Sequence, residues 1–430
     1  MNSIVGLEVE SSNAVSSQRG TEAKHFLLWA WYITGLTLTV LVSSYVSWKN
    51  LNIPLKSLPM IIMVSVLYIG MLLNRGQVKN YRSYKSIGIT LFYITLGYVT
   101  IFALLAILRP YYSRSFLLSS YLLTLLFLVG GILFSRRSVP RYYVINGGIA
   151  QALKTYGDAS WQYVNHINES VEIEQYDGVV VDLHAHDNSI LFKRIADFTL
   201  HGVPVRHAAA VFENYTGRTH LNYIAEEGFY SLALPPVYPT IKRVLEAGLI
   251  IVASPLIVPF ACMVALVIKI DSSGPALFTQ QRVGRYGDPF TLYKFRSMTT
   301  DAEKEGAQFA GKADRRVTRL GKFIRKFRID EIPQFWNVLK GDMSLIGPRP
   351  EQKDFVDSFN EKIPFYNYRH QVRPGITGWA QIKDGYAADV EETKRKLEFD
   401  LYYIKNFSLS LDLLIIYATL KTILTGFGSR

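Results

Sequence analysis

Between Arg325 and Pro350 the chain reads RKFRIDEIPQFWNVLKGDMSLIGPRP, which sets two adjacent carboxylates, Asp330 and Glu331, directly after a basic run. Residues of these types at this spacing suit chemistry on a phosphate: cations hold the charge, one carboxylate attacks and the other holds a metal. Pro333 follows the pair and is favoured at the first position of a helix. The sequence continues that helix from Gln334 to Lys340 and closes it at Gly341. The pair is therefore expected at a helix N-terminus, where the dipole and free amides favour anions. The same field is expected to lower carboxylate basicity and keep Asp330 ionised. Helix capping by two acids is the plain alternative. Pro348-Arg349-Pro350 places Arg349 on a stiff loop, and a rigidly held guanidinium matches two phosphate oxygens at once. A turn with a surface arginine is the alternative there.

Upstream, 13 Lys/Arg stand against five Asp/Glu between Arg282 and Arg328. Such a run is usually a solvated face. Here the cations are interleaved with aromatic and glycine positions and converge on the acidic pair, which favours an anion site. Arg282, Lys294, Arg296, Arg325, Arg349 and Asp342 are the residues expected to bind phosphate or substrate. No Ser/His/Asp triad, zinc spacing or Walker loop competes for the chemistry, and the single Cys262 permits neither a disulfide within the chain nor a thiolate metal site.

The elements that must position these residues are largely membrane-like. The 430-residue chain is 49% hydrophobic, with a mean hydropathy of +0.13. Four apolar runs, 25–48, 58–74, 88–108 and 115–135, approach the ~20 residues needed to cross a bilayer. They predict a transmembrane four-helix bundle over 25–136, preceded by a disordered tail, 1–24, without signal-peptide features. Arg75, Lys79, Arg82 and Lys85 follow the second run, and Arg136, Arg137 and Arg141 follow the fourth. The other two connections hold only Lys49, Lys56, Arg109 and Arg114, so both ends of the bundle are expected in the cytoplasm. The net charge of +12 could suggest nucleic acid. No nucleic-acid motif accompanies it, and anionic lipid and phosphate ligands explain the excess.

Residues 141–235 read as a small Rossmann-like α/β unit, with strands at Tyr142–Ile145, Asp177–Asp182 and Gly202–Val205. Gly147-Gly148 lacks the remaining spacing of a dinucleotide fingerprint, so a structural, regulatory or dimerising role is favoured over cofactor binding. His184 and His186 could share a strand face, but no third ligand accompanies them. A fifth apolar run, 244–268, contains Ser254-Pro255 and Pro259, where a helix should break or kink. Its ends are both basic, which fits a helix that enters and returns to one membrane face; a kinked span is the alternative. Leu409–Leu424 is apolar but interrupted by Asp412 and Lys421, and reads as an interfacial amphipathic helix ahead of a core helix.

The motifs as a set are similar to those of bacterial sugar transferases, the large monotopic phosphoglycosyl transferases. The resemblance rests on Gly274–Gly284, Lys294-Phe295-Arg296-Ser297-Met298, Arg325–Pro350 and Arg373-Pro374-Gly375-Ile376-Thr377-Gly378-Trp379-Ala380-Gln381, and covers 239–430. It implies an α-rich C-terminal transferase domain whose re-entrant membrane helix breaks at Ser254 and Pro255. It also implies an enzyme that moves a sugar 1-phosphate from a UDP-sugar to undecaprenyl phosphate, releasing UMP, as the first membrane step of exopolysaccharide, capsule or O-antigen synthesis. Asp330 would be the nucleophile, Glu331 a Mg²⁺ ligand, and Arg325 and Arg349 phosphate contacts. The expected location is the bacterial inner membrane, multi-pass, with the catalytic domain cytoplasmic, and a homodimer suits so large a bundle. After Gln381 the stretch Lys383–Asp389 departs from the Arg-Gly-rich sequence of many relatives, which leaves the sugar open. The rival readings are a catalytically silent scaffold of polysaccharide assembly and a nucleotide-sugar oxidoreductase.

Overall fold

The computed structural model describes residues 26–49, 53–79, 86–134, 140–156, 159–164, 176–185, 189–200, 202–227, 232–298, 316–384 and 389–425. The expected tail, His186 and residues 385–388 lie outside them. The chain divides into two compact units, Met1–Thr216 and Gly217–Arg430. The last part of the stretch assigned from sequence to the α/β unit therefore belongs with the C-terminal unit. Trp379 Nε1 donates to Gly217 O at 2.8 Å, and Thr219 N donates to Glu398 O at 3.0 Å.

In the first unit the four apolar runs form long helices: α1 (Phe26–Trp48), α2 (Leu58–Lys79), α3 (Ser86–Leu108) and α4 (Arg114–Phe134). A helix satisfies its own backbone donors and acceptors, which is why uncharged apolar sequence adopts it where water is absent. The four share one core that includes Tyr68, Ile94, Leu105, Phe116 and Phe127. Much of the apolar surface faces outward, Ile107 at 74% and Leu118 at 63% exposed among it. An outward apolar surface is unfavourable in water and suits lipid.

The α/β part of this unit is a parallel four-stranded sheet in the order β2-β1-β3-β4, with β1 Arg141–Ile145, β2 Ser160–Val164, β3 Gly178–Val181 and β4 Val205–His207. Helices α5 (Ser189–Leu200) and α6 (Ala208–Thr216) flank it. The Rossmann-like expectation holds in outline, with two corrections. Strand β2 was not foreseen, because Ser-Trp-Gln-Tyr-Val is short and polar at alternate positions. The third expected strand starts later, since Pro204 has no N–H to give a ladder and serves through its carbonyl, which accepts from Val179 N at 3.0 Å. His184 meets the His207 ring, not a metal cluster, and the described residues hold no group of three metal-ligating side chains.

The second unit begins with α7 (Leu221–Glu227) and α8 (Tyr238–Asp271). It continues through hairpin β5 (Leu277–Val283) and β6 (Pro289–Phe295), α9 (Arg319–Lys326) and α10 (Gln334–Lys340). Then come β7 (Ser344–Ile346), α11 (Lys353–Lys362), β8 (Gly375–Thr377), α12 (Trp379–Lys383), α13 (Val390–Lys405) and α14 (Leu409–Thr425). Strands β7 and β8 pair in parallel.

Of the break or kink expected at Ser254-Pro255 the break is not present: α8 runs through both prolines as one helix. Pro255 removes the N–H that would reach Ile251 O, and Ser254 Oγ donates to that carbonyl instead, at 2.7 Å. The local substitution of donors explains why hydrogen bonding survives the proline. Both halves of α8 pack on the same unit. Ile250 joins Phe290, Leu292, Val338 and Met343, whereas Val264 and Ile268 join Ala276, Phe295 and Ile324. Between them, Val252 is 79% and Leu256 81% exposed.

Packing also corrects the reading of α14. Leu411, Leu414, Ile415 and Asp412 are all buried, so the helix belongs to the core. Asp412, the charge that interrupted its apolar run, pairs with Lys242 at 2.7 Å at the start of α8. Tyr238 donates to the same carboxylate, and Tyr403 donates to its second oxygen at 2.8 Å while accepting from Lys242 Nζ at 2.8 Å. Removing that hydroxyl leaves two buried ionic partners each short of one bond. Tyr403→Phe should therefore destabilise the second unit by about 2 kcal/mol, read as a lower melting temperature of purified protein.

Candidate active site

Four elements of the second unit converge on the acidic pair. Asp330 and Glu331 occupy a single 3-10 turn, Ile329–Glu331, directly before α10. Pro333 has helical φ and ψ at the head of α10, and Gly341 ends it at φ 99, both as the sequence requires. Arg325 comes from the end of α9, Lys294 from β6 and Arg349 from the loop after β7. Arg328, just before the turn, holds a left-handed backbone at φ 54; a non-glycine residue in that region is strained, and such strain gathers at functional sites.

Glu331 takes most of the positive charge. Its Oε1 accepts from Arg349 Nη1 at 3.2 Å, and Arg328 Nη1 stands 3.6 Å from Oε2. Burial raises its pKa, but Arg349, Lys294 and Arg328 outweigh that and leave it lowered. Asp330 behaves oppositely to the expectation of a lowered carboxylate. Burial first, and the neighbouring Glu331 charge second, push it up to about 6 against the pull of Lys294, Arg325 and Arg349. The helix-end field is overridden because the arginines are spent on Glu331. The result is a more basic, more nucleophilic carboxylate that is still largely ionised near neutrality. Lys294 is pulled down to about 8 by burial and by Arg349.

The loop that carries Arg349 is fastened at four consecutive carbonyls. Pro348 O accepts from Gly375 N at 2.8 Å and Arg349 O from Arg369 Nη2 at 2.9 Å. Pro350 O accepts from Arg282 Nη1 at 3.3 Å and Glu351 O from Val283 N at 3.0 Å. The Arg373–Gln381 motif supplies the first of these donors, Gly375: β8 lies so close to the loop that a Cβ on Gly375 would collide with the backbone of Gly347. Arg369 is itself buried on Asp400 at 2.9 Å.

Not every expected site residue reaches the pair. Asp330, Glu331, Arg325, Arg349 and Lys294 are brought together, and Arg282 holds the loop beside them. Arg296 is turned away and caps the end of α8 through Ser273 O at 2.8 Å and Ser272 O at 2.7 Å. Asp342 pairs with Lys340 at 3.0 Å and accepts from Asn337, which stitches α10 to β6. Arg328, Glu351, Arg369 and Asp400 were missed. Arg328 was signalled by its place two residues before Asp330; the others act through the loop, which no spacing reveals.

His370, next to Arg369, gives a pH-dependent stability. Burial first, then the Arg369 charge, hold it down to about 4, and its Nε2 has no hydrogen-bond partner among the described residues. A histidine depressed on folding adds stability above its unfolded value. That stability is lost as pH falls from about 6.5 towards 4, at about 1.4 kcal/mol per pH unit. His370→Gln should flatten the fall in melting temperature over that window by about one proton's worth relative to the native chain.

A divalent cation fits the pair. Glu331 Oε2 is buried and accepts no hydrogen bond among the described residues, with Arg328 no nearer than 3.6 Å, so the oxygen has room for an electropositive partner. One or two carboxylates with substrate phosphates are the usual protein share of a Mg²⁺ site.

Comparison with known proteins gives one family. The profile of the bacterial sugar transferase family matches residues 237–426. The chain is 46% identical over 339 residues to a UDP-N-acetylgalactosamine-undecaprenyl-phosphate N-acetylgalactosaminephosphotransferase of Aeromonas hydrophila, covering 78% of this chain and 80% of that one. It is 38% identical over 201 residues to a UDP-glucose:undecaprenyl-phosphate glucose-1-phosphate transferase of Escherichia coli K12, covering 46% of this chain and 43% of that one. A Caulobacter vibrioides protein of the same description is 41% identical over 186 residues, 43% of this chain and 70% of its own length.

Proposed function

The chain belongs to the bacterial sugar transferase family, and from that premise we propose that it transfers a sugar 1-phosphate from a UDP-sugar to undecaprenyl phosphate. The products are UMP and undecaprenyl-diphospho-sugar, and the reaction begins the synthesis of a polysaccharide. The observation that carries the chemistry is the division of charge at the pair: Glu331 accepts from Arg349 while Asp330, beside it, stays the more basic carboxylate. An Asp330 oxygen attacks the β-phosphorus of the donor, the bond to the bridging oxygen breaks, and UMP leaves with that oxygen. The acyl phosphate on Asp330 is then attacked by a phosphate oxygen of the lipid, which frees the carboxylate. Arg349 and Arg325 hold phosphoryl oxygens throughout, and Lys294 adds a third positive charge. Mg²⁺, held by Glu331, would supply Lewis-acid neutralisation of the pyrophosphate.

The membrane arrangement follows from the same premise. Helices α1–α4 span the bilayer, with the positively charged connections and the second unit in the cytoplasm of the bacterial inner membrane. Helix α8 dips into that membrane and returns, supported by the anchoring of both its halves on one unit with an exposed apolar middle. UDP-N-acetylgalactosamine is the donor to try first, given the Aeromonas relative.

The test withholds the lipid. Purified protein with Mg²⁺ and a panel of UDP-sugars should release one UMP per chain and gain the mass of one sugar phosphate at Asp330. Turnover only after the lipid is added would mean direct transfer in a ternary complex. Silence in both settings, with folded protein, would overturn the assignment for the donors tried.

A further inference from the structure

Three arginines meet at the root of α8, none of them among the charges that act on Asp330. Arg243 lies on the helix, Arg285 on the β5–β6 turn and Arg373 ahead of β8. Arg243 gives both terminal nitrogens to the carbonyls of Val338 and Leu339, and Arg373 Nε reaches Gly341 O at 2.9 Å. Capping the C-terminal end of α10 accounts for those bonds. It does not account for the remaining donors. Arg285 makes one bond, from Nε to Gln371 O at 3.0 Å. The terminal nitrogens of Arg285 and Arg373 have no hydrogen-bond partner among the described residues.

All three arginines line one hollow, together with Glu246. That carboxylate is already engaged by Ser344 Oγ at 2.7 Å and by Lys242 at 3.6 Å. Burial first, then the charges of Arg285 and Arg243, lower the pKa of Arg373 against the opposing pull of Glu246. Arg285 also lines an open cleft of about 510 Å³, rimmed by Pro235, Pro236 and Tyr286. Tyr286 is 70% exposed, stacks its ring 4.5 Å from the Arg285 guanidinium and holds a left-handed φ of 58. Strain of this kind marks segments whose conformation serves a ligand. Val237 at 63% and Val244 at 66% exposed extend an apolar surface from this part of the chain onto α8.

We propose that Arg285 and Arg373 form a second anion site, which takes the phosphate of an anionic membrane phospholipid whose chains lie along the exposed start of α8. Free guanidinium forks match phosphate oxygens in pairs. The adjoining apolar surface favours a lipid over a soluble phosphate. Bound there, the lipid fixes the depth at which the catalytic unit sits on the bilayer.

The full chain in detergent is titrated with phosphatidylglycerol, phosphatidylcholine, undecaprenyl phosphate and inorganic phosphate. Retained lipid is read by native mass spectrometry and by melting temperature. The native chain should retain phosphatidylglycerol in preference to phosphatidylcholine. Arg285→Gln should bind it about tenfold more weakly, and Arg285→Lys should recover part of the loss. Should Arg285→Gln fail to fold, the Arg285→Lys comparison carries the test through its intermediate affinity. Equal phosphatidylglycerol retention by native and variant chains would overturn the proposal. So would stabilisation by inorganic phosphate to which phosphatidylglycerol adds nothing, or an Arg285-dependent preference for undecaprenyl phosphate, which would make this the acceptor's site.

Discussion

Asp330→Asn should abolish the covalent adduct and lower UMP release by at least about 10⁴-fold, a loss of the size seen when a covalent nucleophile is removed. The amide has the shape of the carboxylate but no lone-pair charge to attack phosphorus, so the loss is chemical. Its surroundings should tolerate it. Removing its charge relieves both the cost of burying it and the repulsion from Glu331, which together raise the Asp330 pKa. An unchanged melting temperature with a silent site is therefore the expected pair of results. Glu331→Gln should behave differently. It takes the charge from Arg349 and Arg328 and replaces one of the two Glu331 oxygens by an amide NH2 that no metal would bind. Donor affinity and Mg²⁺ dependence should then suffer with rate. If Asp330→Asn kept within about tenfold of native turnover, direct transfer would replace the covalent route.

How much of this could be read from sequence divides by range. The carboxylate pair, the proline that starts α10 and the glycine that ends it are local, so the turn and its neighbours were legible. The four apolar helices were legible because length and lack of charge are themselves the physical requirement. Arg296 was misread because its motif neighbour Lys294 does face the site. Along a strand, alternate residues share a face, and only the nearby helix end shows that this arginine has other partners. Asp412 was read as a flaw in an apolar helix because its partner, Lys242, lies 170 positions away. The pKa of Asp330 went the wrong way for a similar reason. A helix end favours anions, but burial and then the Glu331 charge outweigh the cations around Asp330, and neither the depth of burial nor which acid the arginines contact is written in the sequence. The fastening of the Arg349 loop was the least legible feature, since carbonyl acceptors carry no side-chain signature.

That fastening makes Arg349 the second decisive position. Arg349→Ala should reduce the UMP burst rate at limiting donor by about 10³-fold, and Arg349→Lys should restore only about tenfold of it. Lysine keeps a charge but not the fork, so it can oppose Glu331 or one phosphate oxygen but not both in fixed geometry. The loop itself should survive either change, because the bonds that hold it end on its carbonyls and not on the arginine side chain. Loss of function should therefore come with a folded chain and only the fall in melting temperature that a buried Glu331 short of one partner causes. The guanidinium donates to Glu331, so the variant also takes a partner from a buried carboxylate whose pKa should rise. A higher Mg²⁺ requirement should accompany the slower burst, since the weakened charge balance at Glu331 must be made up by the metal. Arg349→Lys at native burst rates would show that charge alone suffices, and that a loop held at four carbonyls serves some end other than aiming a fork.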